Sequence, residues 1–209
     1  MKRLSISVVM GTALSLCLAV GGAQAAVTSF TTNLSGANES PVNSSPGVGS
    51  SSVSLDTTTH QLQVSIVFSG MSAPTTASHI HCCVSPPGTA GVATTTPTFA
   101  GFPLGVTSGS FNAVLDTSQA SSWNPAYITA NGGTPLSAEA ALAAGMAAGQ
   151  AYVNIHTTAI PAGEIRGFLA LQAPPAVVAA GVPTLSQWGL IALAAFLAVL
   201  GFLRIRRRA

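Results

Sequence analysis

Charged side chains are scarce in this 209-residue sequence, at 6% of the total, and their positions tell more than their number. Six of the seven Lys and Arg residues lie in the first three or the last six positions, which leaves Arg166 as the one cation between them. That middle region holds five acidic residues, so its formal charge is −4. A basic surface that could engage phosphates is therefore excluded, and with it a nucleic-acid partner.

Sequence motifs of several enzyme classes are also missing. The sequence has no Gly-x-Ser-x-Gly elbow, no phosphate-binding loop and no dinucleotide fingerprint. Glu39 and Glu164 do not form a carboxylate pair in any recognisable context. We therefore expect a non-enzymatic protein with no catalytic residues.

The N-terminus has the features of an export signal. Lys2 and Arg3 precede an apolar run from Leu4 to Val20, and Ala23-Gln24-Ala25 supplies small residues at a cleavage site. This pattern predicts a secretory signal peptide over residues 1–25, removed between Ala25 and Ala26.

The C-terminus has the features of a membrane anchor. Residues 185–203 form an apolar stretch close to the ~20 residues that a spanning helix needs. A stop-transfer cluster follows, made of Arg204, Arg206, Arg207 and Arg208. Because such clusters stay cytoplasmic, the sequence predicts a transmembrane helix over 185–203 with the preceding domain outside and Trp188 at the outer interface.

A short polar motif, V-P-T-L-S-Q-W-G, opens this segment and gives the first family resemblance. Its positions are Val182, Pro183, Thr184, Leu185, Ser186, Trp188 and Gly189. With the apolar span and the terminal arginines, it resembles the IPTL-CTERM sorting signal of Gram-negative bacteria, a relative of PEP-CTERM tails, although Val182 stands where the family usually has Ile. The resemblance implies export across the inner membrane, anchoring by the C-terminus, cleavage near the motif by an exosortase- or archaeosortase-like membrane protease, and delivery to the cell surface or beyond.

The region between the two targeting segments is predicted to be one β domain. Residues 26–172 are rich in Ser, Thr, Val and Gly and alternate with period two, and residues 173–181 form a Pro/Ala spacer before the sorting segment 182–209. The candidate strands are Val27 to Leu34, Gly49 to Leu55, Gln61 to Phe68, Ser78 to Val84, Gly109 to Leu115, Ala151 to Thr157 and Glu164 to Leu171. We expect an all-β fold, an antiparallel Ig-like or superoxide-dismutase-like sandwich.

Two segments interrupt the strand pattern. Ser137 to Met146 contains strong helix formers and predicts one short helix. Ser85 to Ser108 is rich in proline and glycine and predicts a long irregular connection, the kind of segment that often carries recognition.

Three histidines form the most distinctive chemical pattern. On a strand, His79 and His81 share a face with Cys83, and His156 shares a face with Tyr152 and Asn154. If the two strands are neighbours, three imidazoles converge on one side of the sheet. A His-x-His pair with a third His can hold Zn or Cu, with Cys83 or Glu164 as a further ligand.

The alternative is a structural polar network. In that interpretation the histidines hydrogen-bond across the sheet, while Glu164 and Arg166, two residues apart on one strand, form a partly buried pair. Cu/Zn superoxide dismutase also has a His-x-His strand pair, but it needs several further His ligands and a metal-bound Asp. This chain has only His60 to spare, which argues against dismutase activity.

Cys82 and Cys83 are the only cysteines that remain after signal removal. An exported protein permits a disulfide, although neighbours on a regular strand point to opposite faces. Three states remain open: a vicinal disulfide at a turn, free thiols with Cys83 beside the histidines, or an intermolecular bridge.

The middle region also resembles the CHRD domain, first described in chordin. The matching segments are Leu34 to Pro41, Ala77 to His81, Tyr152 to Thr157 and Gly163 to Leu169. Cys82 departs from the pattern, since many members have Gly there. The resemblance implies a secreted β domain, so we expect an exported surface or matrix protein whose domain binds or assembles with an extracellular protein or polysaccharide. The alternative is a secreted Cu- or Zn-binding, redox-active protein.

Overall fold

Residues 27–172 and 187–206 are described by a computed structural model of the chain. They belong to two compact units, divided after Leu171. The predicted signal peptide, the spacer, the motif residues Val182 to Ser186, and Arg207 and Arg208 lie outside the described residues.

The first unit consists mainly of short strands. The strands are β1 (Thr28–Ser35), β2 (Val48–Asp56), β3 (Gln61–Ser69), β4 (Thr75–His81), β5 (Gly109–Asp116), β6 (Tyr152–Thr157), β7 (Ile165–Phe168) and β8 (Ala170–Leu171). Two α-helices, α1 (Pro125–Ala130) and α2 (Pro135–Ala147), separate β5 from β6. Two single 3-10 turns occur at Gly36–Asn38 and Ala120–Ser122.

These strands form one curled sheet in the order β4-β6-β7-β1-β2-β3-β5, and β8 also pairs with β1. All the strand pairs are antiparallel. The predicted all-β, sandwich-like class is confirmed. The strand predicted at Ser78 to Val84 is displaced, however, since β4 begins at Thr75 and ends at His81.

The core follows from the period-two pattern. In β3, Leu62, Val64, Ile66 and Phe68 are buried, while Gln61 and Gln63, which alternate with them, are exposed. Phe30 of β1 and Ile155 of β6 join the same apolar cluster, so both halves of the curled sheet share one core. Burial of this apolar area is the main term that stabilises such a domain.

The β4–β6 end of the sheet is covered on both faces. All six residues of β6 are buried, although their side chains alternate between the two faces. Ile80, Val153 and Ile155 belong to the apolar core. The irregular connection between β4 and β5 covers the opposite face. In that connection, Pro97 O accepts a hydrogen bond from His79, and Pro87 O accepts one from Arg166. The second face is therefore a buried polar layer.

The longer helix matches the predicted one and is extended at its N-terminus. Thr134 caps α2 through a capping box with Ser137, and Pro135 occupies the first turn. Glu139 on this helix accepts hydrogen bonds from Thr117 and from His60, the latter at 3.0 Å. His60 thereby ties the β2–β3 turn to the helix. The short α1 was not predicted.

The second unit contains α3, Gln187–Arg206, with Arg204 and Arg206 in its last turn. Among the described residues it is the one helix long and apolar enough to cross a bilayer, with a mean hydropathy of 2.0 over Gly189–Arg206.

Candidate functional site

The pairing of β4 with β6 brings the three histidines together. In that register Ala77 lies opposite His156, His79 opposite Asn154, and His81 opposite Tyr152. Alternation along each strand then directs the imidazoles of His79, His81 and His156 into the polar layer. One ring nitrogen from each lies within 4.8 Å of the others. We call these three residues the histidine trio.

A backbone carbonyl fixes each imidazole of the trio. His79 Nε2 donates to Pro97 O at 2.5 Å, His81 Nδ1 to Ala90 O at 2.9 Å, and His156 Nδ1 to Pro161 O at 2.9 Å. A carbonyl can only accept, so each of these nitrogens carries the ring hydrogen. In a neutral imidazole the other nitrogen is then an unprotonated acceptor.

The three remaining nitrogens face one another with no hydrogen between them. His79 Nδ1 lies 3.4 Å from His156 Nε2, and His81 Nε2 is buried without any hydrogen-bond partner. An unpartnered buried acceptor is costly, and three converging lone pairs require a proton donor or a cation. The same pattern, in which the second ring nitrogen donates to a carbonyl, is how metal-ligating histidines are oriented.

Burial keeps the trio unprotonated at neutral pH. Desolvation lowers the pKa of His79 and of His81 to about 4, despite the hydrogen bonds to Pro97 and Ala90 that act in the opposite direction. Desolvation also lowers the pKa of His156. The neutral imidazole is the form that binds metals, so the trio is ready to accept an ion at pH 7.

Arg166 lies in the same polar layer and is almost fully buried. Its guanidinium donates to the carbonyls of Asn38, Gly88 and Pro87 at 2.6 to 3.0 Å. It also lies over the Tyr152 ring at 4.8 Å, and that ring stacks on His81 at 4.8 Å. Tyr152 therefore separates a permanent positive charge from the trio.

Glu39 is the carboxylate beside this arginine. Its Oε2 lies 3.7 Å from Arg166 Nε, and its Oε1 is buried without a partner. Desolvation raises the pKa of Glu39 to about 7, because burial outweighs the opposing effect of Arg166. Asn154 Oδ1 is also buried and unpaired.

Glu164 and Arg166 do not form the predicted pair. Glu164 precedes β7 and accepts from Ser45 Oγ at 2.6 Å, Ser72 N at 2.6 Å and Thr157 Oγ1 at 2.5 Å. Although burial acts to raise the pKa of Glu164, these hydrogen bonds together lower it. Each charge therefore has its own partners, and Glu164 is outside the trio.

Cys82 and Cys83 are joined in a disulfide. The expectation that Cys83 shares a face with the histidines is wrong, because β4 ends at His81. Cys83 Sγ instead lies 3.6 Å from Tyr127 Oη and 3.7 Å from Ala141 O, against the helices. Among the candidate ligands, only the trio is brought together.

Sequence reasoning missed the residues that surround the trio. Glu39 and the carbonyls of Ala90, Pro97 and Pro161 were not singled out, and Asn154 was named only for its face. The proline-rich connection was the available signal, because it supplies two of the three carbonyls. Every residue type has a backbone carbonyl, however, so residue identity does not reveal which carbonyls accept from the histidines.

Comparison with protein families gives two matches. The model of the CHRD domain matches residues 30–169, and the model of the IPTL-CTERM motif matches residues 180–207. Both resemblances drawn from the sequence are thereby confirmed. No curated protein and no solved structure matches the chain.

Proposed function

This chain belongs to the CHRD domain family, and on that premise we propose that it is an exported, C-terminally sorted surface protein whose CHRD domain acts by binding. The sorting motif supports export and membrane anchoring. We propose further that an exosortase-like protease cleaves near the motif and delivers the domain to the cell surface or matrix. There it would bind or assemble with an extracellular protein or polysaccharide.

The side-chain contacts of the domain support a binding role over catalysis. Within residues 27–172, no histidine hydrogen-bonds a serine, threonine or cysteine side chain, and both cysteines there are in the disulfide. A nucleophile activated by a neighbouring histidine is therefore missing from this range.

Mass spectrometry of the mature protein from its own host tests the sorting proposal. We expect a C-terminus near residue 183, with the apolar segment removed. A Pro183→Ala, Thr184→Ala double variant should keep the segment, while a matched Pro174→Ala, Pro175→Ala variant in the spacer should be processed normally. An intact C-terminus recovered from washed membranes would instead identify a permanent anchor.

The geometry of the trio favours a second candidate function at the level of the domain, which is metal binding. The supporting observation is that three imidazoles converge while the ring N–H of each donates to a backbone carbonyl. The nitrogens that face one another therefore carry no hydrogen and can act as metal ligands. Copper and zinc are both ions that imidazole ligands suit.

Elemental analysis of the purified chain tests this second candidate. We expect about one Cu or Zn per chain and its loss in a His81→Ala variant. His60→Ala is the matched control, because His60 contacts Glu139 on α2 and lies outside the trio. Equal metal content in the two variants would exclude the trio as the site.

A further inference from the structure

The trio has no charged ligand, and within the described residues no fourth Cys, His, Asp or Glu joins it, and these two facts restrict the ion. We propose that it binds copper as Cu(I), held by three nitrogens, in preference to Zn(II). This inference rests on the metal-binding candidate above and deepens it by naming the ion and its oxidation state.

The spacing of the ligand nitrogens suits a trigonal site. Two nitrogens bound to one ion at about 2.0 Å in a trigonal arrangement are about 3.5 Å apart. His79 Nδ1 and His156 Nε2 are 3.4 Å apart, which matches this spacing, and His81 completes a set of ring nitrogens that lie within 4.8 Å of one another, so His81 must move closer to share the ion. The second nitrogen of each ring already donates to a backbone carbonyl, which orients the three imidazoles before an ion binds.

The coordination number is the first reason to prefer Cu(I). His81 Nε2 is buried, and within the described residues the trio is joined by no further Cys, His, Asp or Glu ligand. Zn(II) sites take a fourth ligand, which is a protein group or a water, and Cu(II) favours square-planar or tetragonal surroundings. Cu(I) has a filled d shell and is stable with three ligands in a plane.

The charge of the polar layer is the second reason. All three ligands are neutral, Arg166 brings a buried positive charge to the far side of the Tyr152 ring, and Glu39 is already beside that arginine. The cost of burying an ion grows with the square of its charge, so a divalent ion costs about four times as much as a monovalent one. The site therefore penalises Zn(II) and Cu(II) more than Cu(I).

Paired competition titrations test the inference. The full chain in mild detergent is titrated without oxygen, with Cu(I) against the chelator bicinchoninate and with Zn(II) against a zinc-binding dye. We expect one Cu(I) per chain, bound at least about 100-fold more tightly than Zn(II), since part of the extra desolvation cost of the divalent ion remains uncompensated. X-ray absorption of the Cu(I) form should give three nitrogen neighbours at about 2.0 Å.

Two substitutions locate the site. His156→Gln should lose the tight Cu(I) site while keeping the far-ultraviolet circular dichroism of the parent, and His60→Gln should keep both. If His156→Gln does not fold, His79→Gln provides the same test from the other strand. Tight Cu(I) binding that survives in the folded trio variants would overturn the assignment.

The outcomes separate the two levels of the proposal. Zn(II) bound as tightly as Cu(I), or a fourth ligand in the absorption spectrum, would overturn the preference for Cu(I) and leave a three-histidine metal site in place. A folded chain that binds neither ion would overturn both the inference and the metal-binding candidate.

Discussion

Acidification should destabilise the metal-free chain, and the loss of unfolding free energy follows from the shifted pKa values of the buried groups in the polar layer. In the unfolded chain His79 and His81 take up protons near their ordinary pKa of 6.5, whereas the folded chain holds that pKa at about 4. A depressed pKa of this kind gives stability that is present above pH 6.5 and is lost as the pH falls toward 4. Between about pH 7.5 and about pH 5, each of the two histidines accounts for a loss of about 2 kcal/mol, and His156 adds to it.

Glu39 acts in the opposite direction. Its pKa rises from 4.5 in the unfolded chain to about 7 in the folded one, so the folded chain takes up a proton that the unfolded chain does not. The stability from this raised pKa is fully present below pH 4.5 and is lost as the pH rises through 7. Between about pH 7.5 and about pH 5, Glu39 therefore adds about 2 kcal/mol to the free energy of unfolding. The net loss from His79, His81 and Glu39 is then about 2 kcal/mol.

Urea denaturation of the full chain in mild detergent with a chelator measures this balance. A Trp188→Phe background leaves Trp123, which is buried and donates to Thr117 O, as the one tryptophan to follow. Because His156 adds to the loss, the parent should lose at least about 2 kcal/mol of unfolding free energy from about pH 7.5 to about pH 5, and Glu39→Gln should lose at least about 4 kcal/mol. A free energy that is flat or rises on acidification would refute the assignment for the histidines. An equal loss in parent and variant would refute the opposing role of Glu39.

The same denaturation assay tests three further substitutions. Arg166→Met should cost about 3 to 5 kcal/mol, because it removes the buried donor that three backbone carbonyls share and leaves the buried Glu39 without a cation; a cost under about 1 kcal/mol would contradict the role given to these contacts. Gly145→Ala should cost about 1 to 3 kcal/mol, since a Cβ there would lie 2.5 Å from Cys83 Sγ, and a neutral result would mean that α2 moves away freely. Thr134→Ala should cost about 1 kcal/mol by removing the capping box of α2, whereas Thr134→Ser should keep most of it.

Strands with one apolar face were predicted well from the sequence. The period-two run of β3 and the register of its neighbours follow from burying Leu62 and Phe68 on one side. β4 was placed three residues too late, because its pairing with β6 begins at Thr75 and the disulfide follows His81. The short α1 has an N-cap at Asn124 and a proline in its first turn, signals that six residues are too few to make conspicuous.

The candidate site was predicted in part. To predict the convergence of His79, His81 and His156, it was enough to know that side chains alternate along a strand and to assume that the two strands are neighbours. The pairing of Glu164 with Arg166 failed because Glu164 lies before β7 starts, where alternation no longer fixes its direction. The contacts of Arg166 with the carbonyls of Pro87 and Gly88 depend on the path of a long connection, which local periodicity does not determine.

The carbonyls of Ala90, Pro97 and Pro161 have a consequence for any attempt to transplant this site. Grafting the three histidines onto another sheet would reproduce the ligands without their orientation, since the ring N–H of each donates to a backbone carbonyl of a loop. The graft would have to carry the β4–β5 connection and the β6–β7 turn at their native lengths. A change of one residue in loop length should therefore disturb the site more than most substitutions within either loop.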